Sequence, residues 1–289
     1  MYCSNSRFCL GLPCSSCCQK RTECQSNSSY QREEAQRRKT IVDKNHQYAK
    51  SYPFLIDHEH VQTICDFDHD RIPKVLGKPN YKFPYIYVEN CSSAASAIYN
   101  HKQHPKSNIC ILNSTDSLHP GGGYLRGLDG KEEVLCRQSL LYPTLEDSEM
   151  YEKNRACGNK IDGSDEMAYS PNVYVFRDDL GKELVHPFKV NVISATAISN
   201  KWVPFYNGPK IMERRIRKMI CLAAYKKNDI LILNDYGCGE YKNDPTQVAK
   251  MFHKVLVTEG MKNYFSTIVF SIYHNKVAFE AFQSVFKNK

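Results

Sequence analysis

From about residue 85 to its end, the chain alternates short β-rich runs with amphipathic helical segments, and this alternation limits the possible folds more than any other feature. In the helical segment that begins at Asn207-Gly208-Pro209, apolar residues recur at i, i+3, i+4, i+7 and i+8. The alternation predicts one α/β/α domain around a mostly parallel sheet. The predicted strands are residues 85–88, 109–112, 173–176, 188–194, 229–234 and 265–272.

Composition places few further limits on the chain. With 289 residues, of which 42% are hydrophobic, it can bury a sizeable core. The net charge of +8 comes from scattered basic residues, so no direct nucleic-acid binding is expected. No apolar run approaches the roughly 18 residues of a membrane span, and residues 8–13 are too short for a signal peptide. We expect an intracellular protein of the cytoplasm or nucleus that does not contact a membrane.

The chain is expected to have three parts. Residues 1–30 are rich in Cys and Ser and predict a disordered tail, with a metal site or a lipidation site as alternatives. Residues 31–105 predict a helical and loop extension packed on the core, and residues 106–289 predict the main domain. Because most other cysteines stand singly, several of them inside apolar segments, they are read as reduced thiols.

Residues 113–145 are the part of the chain best suited to chemistry. Gly121, Gly122 and Gly123 precede two consecutive carboxylates, Glu132 and Glu133. A glycine triplet indicates unusual backbone angles or a ligand close to the backbone N–H groups, which suit an anion. A second glycine loop, residues 237–239, also follows a predicted strand, and ligands in such folds bind beyond the carboxyl ends of strands. Two anion-binding loops at one sheet edge fit a diphosphate, although both could be plain tight turns.

The common nucleotide-binding motifs do not fit these loops. A Walker A motif is excluded because Glu132 follows Gly130-Lys131, and neither loop has the G-x-G-x-x-G pattern of a dinucleotide-binding fold. His186, His253 and His274 have no shared metal-ligand spacing, so neither a metal nor a cofactor is expected. A diphosphate ligand beside a carboxylate pair suits glycosidic cleavage, in which one acid protonates a leaving oxygen. An adjacent carboxylate in a partly dry cleft raises the pKa of one of the pair.

The run NSTDSLHPGGGYLRGLDGKEEVLCRQSLLYPTL resembles the signature of the microbial-type poly(ADP-ribose) glycohydrolases, where a GGG run precedes Gln-Glu-Glu by seven residues. Blocks similar to that family's later motifs follow in the same order: PNVYVFRDD, VNVISATAISN, YGCGEYKNDP and IVFSIYHN. The resemblance extends from about Gln36 to the end of the chain. It implies a three-layer α/β/α macrodomain with a mixed central sheet, an N-terminal helical extension and an ADP-ribose pocket.

The resemblance also implies roles for single residues. Glu133 would be the catalytic acid that protonates the departing ribose oxygen, and Glu132 would hold ribose hydroxyls. The other expected ligand-binding residues are Asn113, Gly121, Gly122, Gly123, Tyr124, Gly237, Cys238, Gly239 and Tyr241. For Tyr124 and Tyr241 a place in the core is the alternative, and Cys238 could be an ordinary buried thiol.

Besides Tyr241, which stands where the family usually has Phe, three residues depart from the family's pattern. Lys131 stands in place of the usual Gln, His119 in place of Asn, and Asp235 in place of a small residue. The expected function is cleavage of ribose–ribose bonds in poly(ADP-ribose) to release ADP-ribose. Because Lys131 brings a cation near the carboxylates, a non-catalytic ADP-ribose-binding module is an alternative, as is hydrolysis of mono-ADP-ribosylated protein. The expected partners are poly(ADP-ribose) or ADP-ribosylated protein.

Overall fold

The structure is a computed structural model that describes residues 15–58, 60–64, 76–156, 163–200 and 207–287, with the backbone alone for residues 15–28. Every cysteine of the predicted tail, from Cys3 to Cys24, therefore has its side chain outside the described part, as do the metal and lipidation alternatives. No described helix combines the length and the apolar character needed to cross a membrane.

The centre of the fold is a mixed sheet whose strands run in the order β1-β4-β5-β3-β6-β7-β2. The β3, β6, β7 and β2 strands are parallel to one another, β5 is parallel to β3, and β4 runs antiparallel to both β5 and β1. The strands are β1 (Gln62–Ile64), β2 (Tyr85–Glu89), β3 (Ile109–Ser114), β4 (Met167–Arg177), β5 (Glu183–Ala195), β6 (Ile230–Leu233) and β7 (Thr267–Ser271).

Helices cover both faces of this sheet. They are α1 (Ser15–Ser51), α2 (Ser93–Gln103), α3 (Lys131–Gln138), α4 (Leu141–Glu146), α5 (Glu149–Ala156), α6 (Gly208–Tyr225), α7 (Pro245–His253) and α8 (Lys276–Phe286). The core on one face combines strand residues with α6, α7 and α8. On the other face, the core combines strand residues with α1 to α5. The predicted three-layer α/β/α architecture with a mixed sheet is confirmed.

Local sequence explains these elements. Alternate side chains of a strand face opposite sides, and in β3 Cys110 and Leu112 enter one core while Ile109 and Ile111 enter the other. The start of α7 is set by its first residues: the Asp244 carboxylate accepts the Gln247 N–H at 2.8 Å, and Pro245 occupies the first turn.

The structure differs from the sequence-based division in three places. Residues 15–30, predicted as part of a tail, belong to α1. The predicted boundary between residues 105 and 106 does not divide the fold. The β2 strand, which lies before this boundary, pairs with β7 along its whole length and extends the same sheet. The strand predicted at residues 173–176 begins earlier, at Met167, and α5 precedes it.

Candidate active site

Both glycine loops lie at the carboxyl ends of neighbouring parallel strands. The β3 strand leads to the first loop, β6 leads to the second, and the two strands pair directly. Beyond the paired residues, the Ser114 hydroxyl donates to the Asn234 side-chain oxygen at 2.7 Å, and Asn234 donates to the Leu112 carbonyl at 3.0 Å. This edge of the sheet therefore brings together segments that are more than 100 residues apart in the chain.

Glu132 is buried beside the end of β3 and is held by three donors. Its Oε1 accepts from Thr115 Oγ1 at 2.6 Å and Asn113 Nδ2 at 3.1 Å, while its Oε2 accepts the Asp116 N–H at 2.8 Å. Burial raises the pKa of this carboxyl to about 8, and the neighbouring Glu133 carboxylate adds to the rise. The three donors favour the ionised form and act against burial. Glu132 therefore has little free space for a ligand.

Glu133 is only partly buried and faces the first glycine loop. Its Oε1 accepts the Gly123 N–H at 2.7 Å. A Cβ atom at Gly122 would lie 2.8 Å from Glu133 Oε1 and 3.2 Å from Glu132 Oε2, so a side chain there would push into both carboxylates. Gly122 also has φ +58°, a conformation that favours glycine. The loop thus lies against both carboxyl groups, and Glu133 is the more exposed of the two.

Contacts within the protein account for the whole glycine triplet. A Cβ atom at Gly121 would lie 2.7 Å from the Tyr142 ring, and one at Gly123 would lie 2.2 Å from Leu128. The Gly122 N–H donates to the His119 carbonyl at 3.0 Å, and the Gly123 N–H is bound to Glu133. Two of the three amides expected to bind an anion are therefore already used, so the first loop mainly positions the carboxylates.

Tyr124 is only 1% exposed, in the core beneath the first loop. Its ring packs against Tyr142 and against His46 of α1, with centroid distances of 4.7 and 6.1 Å. The side chain thus supports the loop from behind, in the core position that the sequence left as the alternative. This contradicts its assignment as a ligand contact, which rested on its place next to the glycines.

The second glycine loop is anchored to the segment that follows β5. Asn243 Nδ2 donates to the carbonyls of Ile198 at 2.7 Å and Gly237 at 2.9 Å, and the Tyr236 hydroxyl donates to the Thr196 carbonyl. Gly237 has φ +74°, and a Cβ atom there would lie 2.6 Å from Asn243, so this position requires glycine.

Gly239 faces open space. A Cβ atom there would meet no atom within 4 Å. Within the described part of the chain, the amides of Gly237 and Gly239 donate to no acceptor, whereas the Cys238 amide donates to the Asp235 carbonyl at 2.8 Å. Cys238 is buried, and burial together with Asp235 raises its thiol pKa, which matches the reading as an ordinary buried thiol. The second loop therefore offers amides to an anion.

The structure also places Tyr241 and the three residues that differ from the family's pattern. Tyr241 is partly buried and packs against the core near the second loop. His119 is exposed, with its ring 3.2 Å from Asp116 Oδ1. Lys131 forms an ion pair with the fully buried Asp235, so two of the three departures from the family's pattern contact each other.

Sequence reasoning missed the residues that hold Glu132. Thr115 and Asp116 lie inside the first block, two and three residues after Asn113, and that short spacing could have indicated them. Tyr151, whose hydroxyl lies 2.8 Å from Thr115 Oγ1, gave no local signal because it belongs to α5. No group of three or more His, Cys, Asp or Glu residues in the described ranges is arranged to hold a metal ion.

Comparison with known families shows to which family the chain belongs. The model of the family described as microbial-type PARG, catalytic domain, matches residues 16–178, which is more than half of the chain. The chain belongs to this family. The matched segment contains Asn113, the first glycine loop and both glutamates, and it ends before the second loop. A search of curated proteins found no significant match.

Solved structures of the same family share the fold. The poly(ADP-ribose) glycohydrolase (PARG) from Thermomonospora curvata gives a TM-score of 0.77 at 24% identity, covering 86% of this chain and 99% of that chain. The same enzyme bound to the inhibitor ADP-HPD gives 0.75 at 24% identity, with the same coverage. A mutant PARG from Deinococcus radiodurans in complex with ADP-ribose gives 0.70 at 26% identity, covering 80% and 95%. The resemblance seen in the sequence is confirmed.

Proposed function

We propose that this protein is a glycosidase, a poly(ADP-ribose) glycohydrolase that releases ADP-ribose with Glu133 as the general acid. The observation that carries the proposal is the placement of Glu133 against the first glycine loop, where it is partly exposed and accepts the Gly123 N–H at 2.7 Å. Membership of the PARG family supplies the reaction class.

In this proposal the second loop binds the ligand, and Glu133, held by the first loop, carries out the chemistry. The second loop binds the diphosphate of ADP-ribose through the amides of Gly237 and Gly239. This places the scissile ribose near Glu133, which donates its proton to the leaving ribose oxygen as the glycosidic bond breaks. A water molecule then adds to the ribose carbon and returns a proton to the Glu133 carboxylate, so that the acid is regenerated.

Glu132 orients the site in this proposal. Its three donors fix the carboxylate beside Gly122, and its α3 neighbour Glu133 is thereby held against the loop. Asn113 is buried as well, and its Nδ2 donates to Glu132 Oε1 and to the Ser194 hydroxyl, so it supports Glu132 from within the protein.

The alternative of a non-catalytic binding module rested on the charge of Lys131 beside the glutamates. That charge is paired with Asp235, which weakens the reason for the alternative. A preference for mono-ADP-ribosylated protein would use the same pocket and is distinguished by substrate.

The test is to incubate the wild type and Glu133→Gln with labelled poly(ADP-ribose) and, separately, with a mono-ADP-ribosylated protein. We expect the wild type to release ADP-ribose from the polymer and Glu133→Gln to do so at least about 100-fold more slowly. ADP-ribose affinity, measured by calorimetry, should change little, which serves as the folding control. No release by a wild type that binds ADP-ribose would overturn the enzyme proposal.

A further inference from the structure

An ion pair links the two glycine loops. Lys131 is the first residue of α3, directly before the two glutamates, and its Nζ contacts Asp235 Oδ1 at the start of the second loop. The side chain of Lys131 is about one third exposed, whereas that of Asp235 is fully buried. Each residue departs from the family's pattern on its own, and the structure places the two departures in contact.

Asp235 is a buried anion at the base of the second loop. Its Oδ2 accepts from Asn275 Nδ2 at 2.6 Å, and Asn275 in turn caps α8 by accepting the Ala278 N–H. The Asp235 carbonyl accepts the Cys238 amide and closes a turn over residues 235–238, which contains Gly237. Asp235 is therefore the first residue of the turn that leads to the amides of Gly237 and Gly239.

An uncompensated charge at this position would have two costs. A buried carboxylate without a cation is strongly destabilised, because burial removes its hydration. It would also repel a ligand diphosphate, since charges a few ångströms apart interact strongly when partly buried. Lys131 provides the opposite charge, while Glu133 is engaged separately by the Gly123 amide.

We propose that Lys131 is a positioning residue for ligand binding: it neutralises the buried Asp235 carboxylate so that the second glycine loop can accept the diphosphate. This inference rests on the proposed ADP-ribose site. It assigns Lys131 to substrate affinity rather than to the proton transfer by Glu133. The effect of changing Lys131 should therefore appear in KM and Kd, with little change in kcat.

The test is a double-mutant cycle with Lys131→Gln, Asp235→Asn and the double variant. ADP-ribose and inorganic pyrophosphate serve as calorimetric probes, and steady-state hydrolysis of poly(ADP-ribose) gives kcat and KM. Lys131→Gln should weaken both ligands about tenfold or more, because the carboxylate is left unpaired. Asp235→Asn should bind at least as tightly as the wild type. The double variant should return to within about threefold of the wild type.

The change in ligand affinity caused by Asp235→Asn distinguishes the two explanations. Affinity that is kept or increased indicates that Lys131 acts by neutralising the carboxylate, whereas a merely structural contact predicts weaker binding. Equal weakening by both single variants, or no recovery in the double variant, would overturn the proposal. A wild type that binds neither ADP-ribose nor pyrophosphate would overturn it as well. If the three variants bind as expected but the wild type releases no ADP-ribose from the polymer, the role of Lys131 in binding is supported and the proposed hydrolysis is rejected. Circular dichroism checks folding, and Lys131→Met replaces Lys131→Gln if that variant does not fold.

Discussion

The two glycine loops occupy the same edge of the sheet but are built for different tasks. In the first loop, the Gly122 and Gly123 amides are engaged by the protein itself, and the space beside Gly122 is filled by Glu132 and Glu133. In the second loop, Gly239 has no neighbour within 4 Å of a Cβ position, and the Gly237 and Gly239 amides have no acceptor in the described chain. Glycine therefore makes room for two carboxylates in the first loop, whereas in the second loop it is required by the backbone at Gly237 and leaves open space at Gly239.

The largest effect is expected from Gly122→Ala. The added methyl would lie 2.8 Å from Glu133 Oε1, so the carboxylate has to move away from its place on the loop. Because a displacement of about 1 Å can cost about 100-fold in rate, we expect kcat on poly(ADP-ribose) to fall about 100-fold, with ADP-ribose affinity nearly unchanged.

Gly260→Ala is the matched control for that variant. Gly260 has φ +78°, close to the +58° of Gly122, but a Cβ atom there meets nothing within 4 Å. Both variants should lose about 1–2 kcal/mol of unfolding free energy from backbone strain, as measured by urea denaturation. Only Gly122→Ala should lose turnover. A similar loss of kcat in both variants would show that strain, and not the carboxylate, is responsible.

A smaller effect, on ligand affinity and not on turnover, is expected from Gly239→Ala. Its backbone does not need glycine, and the methyl has room, so the unfolding free energy should stay within about 0.5 kcal/mol of the wild type. The methyl stands where an anion approaches the loop. We expect the Kd for ADP-ribose to rise about tenfold, the equivalent of one charge-assisted hydrogen bond, with kcat unchanged. Unchanged affinity would remove the second loop from the ligand site.

The last effect concerns pH and appears in stability, with no change in turnover required. Burial raises the pKa of Glu132 to about 8 in the folded protein, above its ordinary value of 4.5, so the folded state binds more protons than the unfolded state between these values. The contribution of Glu132 to the free energy of unfolding is therefore fully present below pH 4.5. It is lost as the pH rises towards 8, by at most about 1.4 kcal/mol per pH unit.

Urea unfolding at pH 5.5, 6.5 and 7.5 measures this dependence. The wild type should become less stable as the pH rises, and Glu132→Gln should remove most of the slope because the titrating group is gone. A variant with the wild-type slope would show that another group is responsible.

The sequence allowed the position of the site to be predicted, because loops after parallel strands meet at one edge of a sheet. It could not show which amides are free, since this depends on contacts such as Gly123 with Glu133. The burial of Tyr124 depends on His46 of α1, and the pairing of Lys131 with Asp235 joins residues 104 positions apart. Local patterns carry no information about such distant contacts, so these features required the folded chain.

The most direct test is the structure of the protein with ADP-ribose bound, determined by crystallography. We expect the diphosphate to accept hydrogen bonds from the Gly237 and Gly239 amides, with a Glu133 oxygen within about 3.5 Å of the terminal ribose. A diphosphate bound away from the second loop, or a terminal ribose out of reach of Glu133, would contradict the proposed roles of the two loops.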